Sequence, residues 1–99
     1  MDIKIHSIHF DADEKLIEFV NSKVKKFVQL YDNIIEAEVF LRLDKDSSTE
    51  NKVTEIKLSI PGNDLFAKKR SKSFEESTDN VVDALKRQLK KTKEKQRGK

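Results

Sequence analysis

Cysteine is absent from this chain of 99 residues, so neither a disulfide framework nor a thiolate metal site can be built from it. Tryptophan is absent too, and glycine occurs only twice and proline once. Gly62 and Gly98 stand alone, so no glycine-rich loop exists to cradle a nucleotide. No apolar run is long enough for a signal peptide or a transmembrane helix, which makes the cytosol the expected compartment. Hydrophobic residues make up 35% and charged residues 39%, at the polar edge of what folds unaided. The apolar residues nevertheless recur at helix and strand periods, which argues against disorder. A chain of this length is expected to form one domain over residues 1–99, with a core for two layers and little more.

What the chain has in plenty is positive charge, and it is concentrated at one end. Residues 84–99 (ALKRQLKKTKEKQRGK) carry Lys86, Arg87, Lys90, Lys91, Lys93, Lys95, Arg97 and Lys99 against Glu94 alone, a formal +7. The whole protein is +3, so the other 83 residues sum to −4. Interspersed signs would keep a protein in solution equally well. Segregation holds one face against a polyanion, either a nucleic acid or an anionic membrane surface. The plain alternative is a solvated lysine-rich tail. Leu85 and Leu89 decide against it for the first part of the run, because they continue an apolar stripe begun upstream. Beyond Leu89 the stripe holds Thr92 and then Gln96, and Gly98 is a stop signal. Residues 93–99 are therefore expected to fray in the free protein.

Residues 3–10 (IKIHSIHF) read as a strand in which the parity shifts from Ile3 and Ile5 to Ile8 and Phe10, as at a bulge or where one end is buried on both faces. Asp11 and Glu14 have capping-box spacing, with Asp13 the competing N-cap. Leu16, Val20, Val24, Phe27 and Tyr31 then mark one face of a first helix of roughly five turns, ended by Asp32-Asn33. Ile35, Ala37, Val39, Leu41 and Leu43 alternate with polar or charged residues and Phe40, as do Ile56, Leu58 and Ile60 with Glu55, Lys57 and Ser59. Residues 44–52 form a polar loop between these strands, and Pro61-Gly62-Asn63 is a tight turn. Residues 65–72 (LFAKKRSK) read as a short basic strand. Ser73 and Glu76 form a capping box for a second helix with the stripe Phe74, Thr78, Val81, Leu85 and Leu89. The fold class is α+β, a two-layer β-α-β-β-β-α arrangement. A four-stranded mixed sheet, with strands one and two parallel, carries both helices on one face. Its other face is open, with Glu36, Glu38, Arg42, Glu55 and Lys57 outward.

Catalytic chemistry finds no constellation here. His6 and His9, three apart on a strand, fall on opposite faces and share no metal. No serine lies in a nucleophile elbow, and neither histidine has an orienting partner evident in the sequence. Glu75, Glu76, Asp79 and Asp83 suit the positive end of a helix dipole without any catalytic role. The chain is expected not to be an enzyme, and to need neither a cofactor nor a metal.

The basic residues do form a constellation. At about 100° per residue, Arg87, Lys91 and Lys95 lie along one flank of the second helix's stripe, and Lys86, Lys90 and Lys93 along the other. Lys23 and Lys26 flank the stripe of the first helix. Two helices side by side would enclose a groove with cationic walls, whichever flank of the second faces inward. Lys68, Lys69, Arg70 and Lys72 add charge where the chain enters the second helix. Phe19, Phe27 and Phe74 lie at or beside the stripes and belong to the core. Phe40 and Phe66 sit on the sheet without the motif of an RNA-recognition sheet. Phosphate and shape recognition of structured RNA is the expected mode.

The element order, DEKLIEFVNSKVKKFVQLYDNI in the first helix and SFEESTDNVVDALKRQLKKTKEK in the second resemble the ribosome hibernation promoting factor family. That family includes the ribosome-associated inhibitor A and sigma-54 modulation proteins. The resemblance covers nearly the whole chain, and ALKRQLKK is its most specific part. It implies binding to the small ribosomal subunit in the channel used by messenger and transfer RNA, blocking translation in stationary or starved cells. The family's contacts with ribosomal RNA fall here on Lys23, Lys26, Arg87 and Lys91, with Lys90 adjacent. Lys86 and Lys95 join them as candidates. Three features depart from the pattern. Ser73-Phe74-Glu75 stands where the family commonly has an acidic residue, an apolar one and tyrosine. A basic position late in the first helix is Gln29. The chain also looks like a short form, without the second domain or acidic extension of other members. The expected partner is the small subunit and its RNA, with no small-molecule substrate and no membrane, bound by a monomer. The rival functions are a general double-stranded-RNA-binding module and a protein-interaction modulator of a sigma factor.

Overall fold

The structure, a computed structural model, describes residues 1–45 and 49–97, the last two by backbone alone. The elements run β1 (Asp2–Ile8), α1 (Glu14–Lys25), α2 (Phe27–Leu30), β2 (Glu36–Leu43), β3 (Lys52–Ile60), β4 (Asn63–Ser71) and α3 (Phe74–Arg97). The strands make one sheet in the order β1-β2-β3-β4, with β1 parallel to β2 and the other pairs antiparallel. The helices cover one face of it, which is the two-layer arrangement that the sequence predicts.

Strand alternation sends Ala37, Val39 and Leu41 of β2, Ile56, Leu58 and Ile60 of β3, and Leu65 and Ala67 of β4 into a single core. Leu16, Val20, Val24 and Phe27 meet them from the first helical segment, and Phe74, Val81, Val82, Leu85 and Leu89 from α3. Each of the larger side chains among them (valine, leucine, isoleucine, phenylalanine), fully buried, contributes about 1.5–3 kcal/mol. Thr78 lies in the stripe as expected. The sequence gives no sign that Ser77 is equally buried, or that the two hydroxyls meet Thr54 of β3 beneath the helix. The Thr54 hydroxyl oxygen is 2.6 Å from that of Ser77 and 3.3 Å from that of Thr78, so these buried polar groups satisfy one another.

Local signals set the element ends. Of the two competing N-caps, Asp13 is the one used: its carboxylate accepts the Leu16 N–H at 2.8 Å. At α3 the Ser73 hydroxyl accepts the Glu76 N–H at 3.1 Å. Between β3 and β4 the chain reverses through Pro61-Gly62, with Ile60 paired to Asn63. Gly62 has φ +80°, the left-handed position that follows proline in a type II turn and suits a residue without Cβ.

Three expectations change. The parity shift in the first strand is neither a bulge nor a doubly buried end. β1 stops at Ile8, His9 adopts φ 66°, and the redirected chain stacks Phe10 on Phe74 with ring centroids 4.8 Å apart. The first helix is two segments, because the Lys26 N–H turns back to the Lys23 carbonyl at 3.3 Å, three residues earlier. Tyr31 is still buried, but beyond the end of α2. The second helix continues to Arg97, well past its last buried leucine. Residues 93–97 are thus helical, as the high helix propensity of Lys, Glu, Gln and Arg favours; Gly98 and Lys99 lie outside the described residues. So do residues 46–48 of the polar loop.

Candidate nucleic-acid interface

The two helical segments of the first crossover lie beside α3, leaving a groove between them. At one end the ion pair of Lys23 Nζ with Asp79 Oδ1, 3.1 Å, ties α1 to α3. Lys23 Nζ also stands 5.4 Å from the centre of the Phe19 ring, a cation–π contact. At the other end the groove widens between Gln29 and Leu30 of α2 and Lys86, Arg87, Lys90, Lys93 and Glu94 of α3. Among the described residues none of these four cations has an ion-pair partner. Four cations without an ion-pair partner along about two turns of helix, against the one carboxylate of Glu94, leave a net positive local field for an anion.

Helix geometry thus settles which flank faces inward. Lys86, Lys90 and Lys93 turn toward the first crossover, with Arg87 beside them near the crest of α3. Lys91 and Lys95 lie on the opposite flank, with Gln88, whose amide donates to the Phe66 carbonyl of β4 at 3.0 Å. Both are exposed and point away from the groove. Lys26 is exposed at the junction of α1 and α2. The structure therefore does not bring Lys23, Lys26, Arg87 and Lys91 into one pocket. They are spread across the helical face, with Lys86 and Lys90 between. Sequence reasoning gave Leu30 and Asp79 no part in this surface. Leu30 is apolar yet off the buried stripe, a signal that was there to be read. The partner of Asp79 lies 56 positions away, and nothing local announces it.

The basic strand is divided by its own alternation. Lys69 faces the helical side, sharing a shallow depression with Asn80, Asp83 and Arg87. Lys68 and Arg70 point to the open face, where Arg70 is paired with Asp44. Of the run, Lys69 adds to the charge on the α3 side of the sheet, and Lys72, exposed, stands two residues before α3 begins. The open face itself is a lattice of mixed pairs: Lys4 with Glu36 at 3.3 Å, Arg42 with Glu55, and His6 Nε2 with Glu38 Oε2 at 2.9 Å. The His6 ring also stacks on Phe40, centroids 5.0 Å apart. His9 sits in the turn after β1, away from His6. Among the described residues no helix is long and apolar enough to cross a membrane, and no three His, Asp or Glu side chains are grouped to hold a metal ion.

Comparison with known proteins places this architecture. A ribosomal subunit interface protein from Coxiella burnetii has the same fold, with a TM-score of 0.84 at 22% identity, covering 94% of this chain and 98% of its own. The N-terminal domain of Thermus thermophilus Protein Y matches with a TM-score of 0.80, again at 22% identity, over 93% and 99% of the two chains. In sequence, the ribosome hibernation promoting factor of Pseudomonas putida is 31% identical over 97% of this chain and 90% of its own length. The Escherichia coli protein of the same name is 30% identical over 96% of each. The sigma 54 modulation protein / S30EA ribosomal protein family matches residues 3–97, from the first strand to the last turn of α3. With that span and those identities, the chain belongs to this family.

Proposed function

We infer that this protein is a ribosome-associated hibernation factor, and we propose that it silences translation by occupying the messenger- and transfer-RNA channel of the small subunit. The observation that carries the reading is the row of unpaired cations on α3, Lys86, Arg87, Lys90 and Lys93, in a chain whose relatives are named ribosome hibernation promoting factors. The protein works in the cytoplasm as a monomer, by steric exclusion. Lys23, Lys26, Arg87, Lys90 and Lys91 meet the phosphates of small-subunit RNA, flanked by Lys86 and Lys95. The helical face is cationic, which suits contact with the phosphates of an RNA-lined channel. The open face is nearly neutral in its pairing and stays away from the RNA. Packed helices fix the backbone positions of these residues, so they set where the protein sits even though each side chain loses rotamer freedom on binding.

Sucrose-gradient sedimentation with purified ribosomal subunits tests the proposal. The protein is expected to travel with the small subunit and to be released by added transfer or messenger RNA. Equal binding to an unrelated RNA duplex, unaffected by transfer RNA, would instead identify a general double-stranded-RNA binder.

A further inference from the structure

The wide end of the groove has more than charge. It is a depression of about 480 Å³, within the range of small-ligand sites. Its lining is mainly carbon. Leu30 and the methylene stems of Lys86, Lys90 and Lys93 can supply that carbon, since long cationic side chains lay their stems on apolar surface and keep the charged head in water. Leu30 is 42% exposed and contributes nothing to the core. A phosphate alone gains nothing from an apolar floor, and an apolar ligand alone gains nothing from four cations. The ligand that uses both has a flat, weakly polar ring joined to a phosphate. Arg87 offers a planar guanidinium for stacking, and the Gln29 amide can both donate and accept at a ring edge.

We propose that this depression holds one unstacked nucleotide of an RNA strand, its base against Leu30 and Arg87 and its phosphates on Lys86, Lys90 and Lys93. The inference rests on the RNA-binding reading and adds a base-specific contact to it. It also gives Gln29 a purpose: where a basic residue would grip another phosphate, an amide addresses the base edge. A duplex cannot enter, since its bases are stacked inside, so the site selects loops, bulges and single strands.

The test uses the full chain and two strands of equal charge: a six-residue single-stranded oligoadenylate and a six-residue abasic ribose-phosphate chain. Fluorescence anisotropy is expected to give at least fivefold tighter binding of the oligoadenylate. Leu30→Ala, an exposed change whose fold is checked by circular dichroism, should erase that difference and leave the abasic strand's affinity unchanged. Equal binding of both strands by the unaltered protein, or equal weakening of both by Leu30→Ala, would overturn the nucleotide site. Free adenosine monophosphate binding as tightly as the oligomer would also overturn it, because the ligand would then be a free nucleotide. Cosedimentation of the same preparations with small subunits separates the two claims. For the unaltered protein, sedimentation with small subunits alongside equal strand affinities refutes the nucleotide site alone, whereas failure to sediment with them refutes the ribosomal reading.

Discussion

Leu85→Asp is expected to abolish cooperative folding at room temperature. Leu85 is fully buried between α3 and the sheet, midway along the helix's apolar stripe. Truncating such a leucine to alanine already costs about 2–5 kcal/mol. A carboxylate adds the cost of an unpaired charge among Val81, Leu89 and the inward residues of β3 and β4. Against a total stability of about 5–15 kcal/mol for a domain, that is enough to unfold it. The control is Lys93→Asp, one of the exposed residues lining the groove. It should change the unfolding free energy measured in urea by no more than about 0.5 kcal/mol. Comparable losses from both changes would mean that the helix packs by another face.

Reversing Lys23, Lys26, Arg87 and Lys91 together to Glu is expected to abolish inhibition of an in-vitro translation reaction at any practical concentration. The change moves the formal charge from +3 to −5 and places repulsion where the RNA should lie. Lys26, Arg87 and Lys91 are exposed, and Lys23 is a partly exposed partner of Asp79, so stability should fall only modestly. Circular dichroism should show the fold intact. Deleting residues 94–99 is the matching control. It removes terminal charge beyond the packed part of α3 and should weaken inhibition while leaving it recoverable at higher protein concentration. If the deletion silences the protein and the reversal does not, the tail is the functional element.

The fold was legible because its signals are local and redundant. Strand alternation around Val39 and Ile56, the capping Ser73 with Glu76, and the Pro61-Gly62 turn all point to one arrangement. Less legible was anything decided by packing between distant segments. The interruption at Lys26 has no glycine, proline or capping residue to announce it. The apolar spacing that ends in Phe27 and Tyr31 reads equally well as one unbroken helix. The cationic groove was legible as a pattern on α3, but its inward flank was not. A helix wheel places Lys86 and Lys91 on opposite sides without saying which side meets α1 and α2. The pairing of Lys23 with Asp79 and the burial of Ser77 against Thr54 depend in the same way on contacts across the fold. The strand run of Lys68, Lys69 and Arg70 is a simpler case. Its total charge suggested one basic patch, although period-two alternation was bound to divide it.

The central claim is that the helical face grips RNA through its phosphates. The most direct measurement is the affinity for purified small subunits across a range of salt, for the unaltered protein and for Arg87→Ala. Phosphate contacts release counterions, so the affinity should fall linearly on a log–log plot against salt. Removing the Arg87 charge should flatten that slope by roughly one unit and leave the melting temperature unchanged. An affinity nearly independent of salt, or an Arg87→Ala slope equal to that of the unaltered protein, would contradict the account.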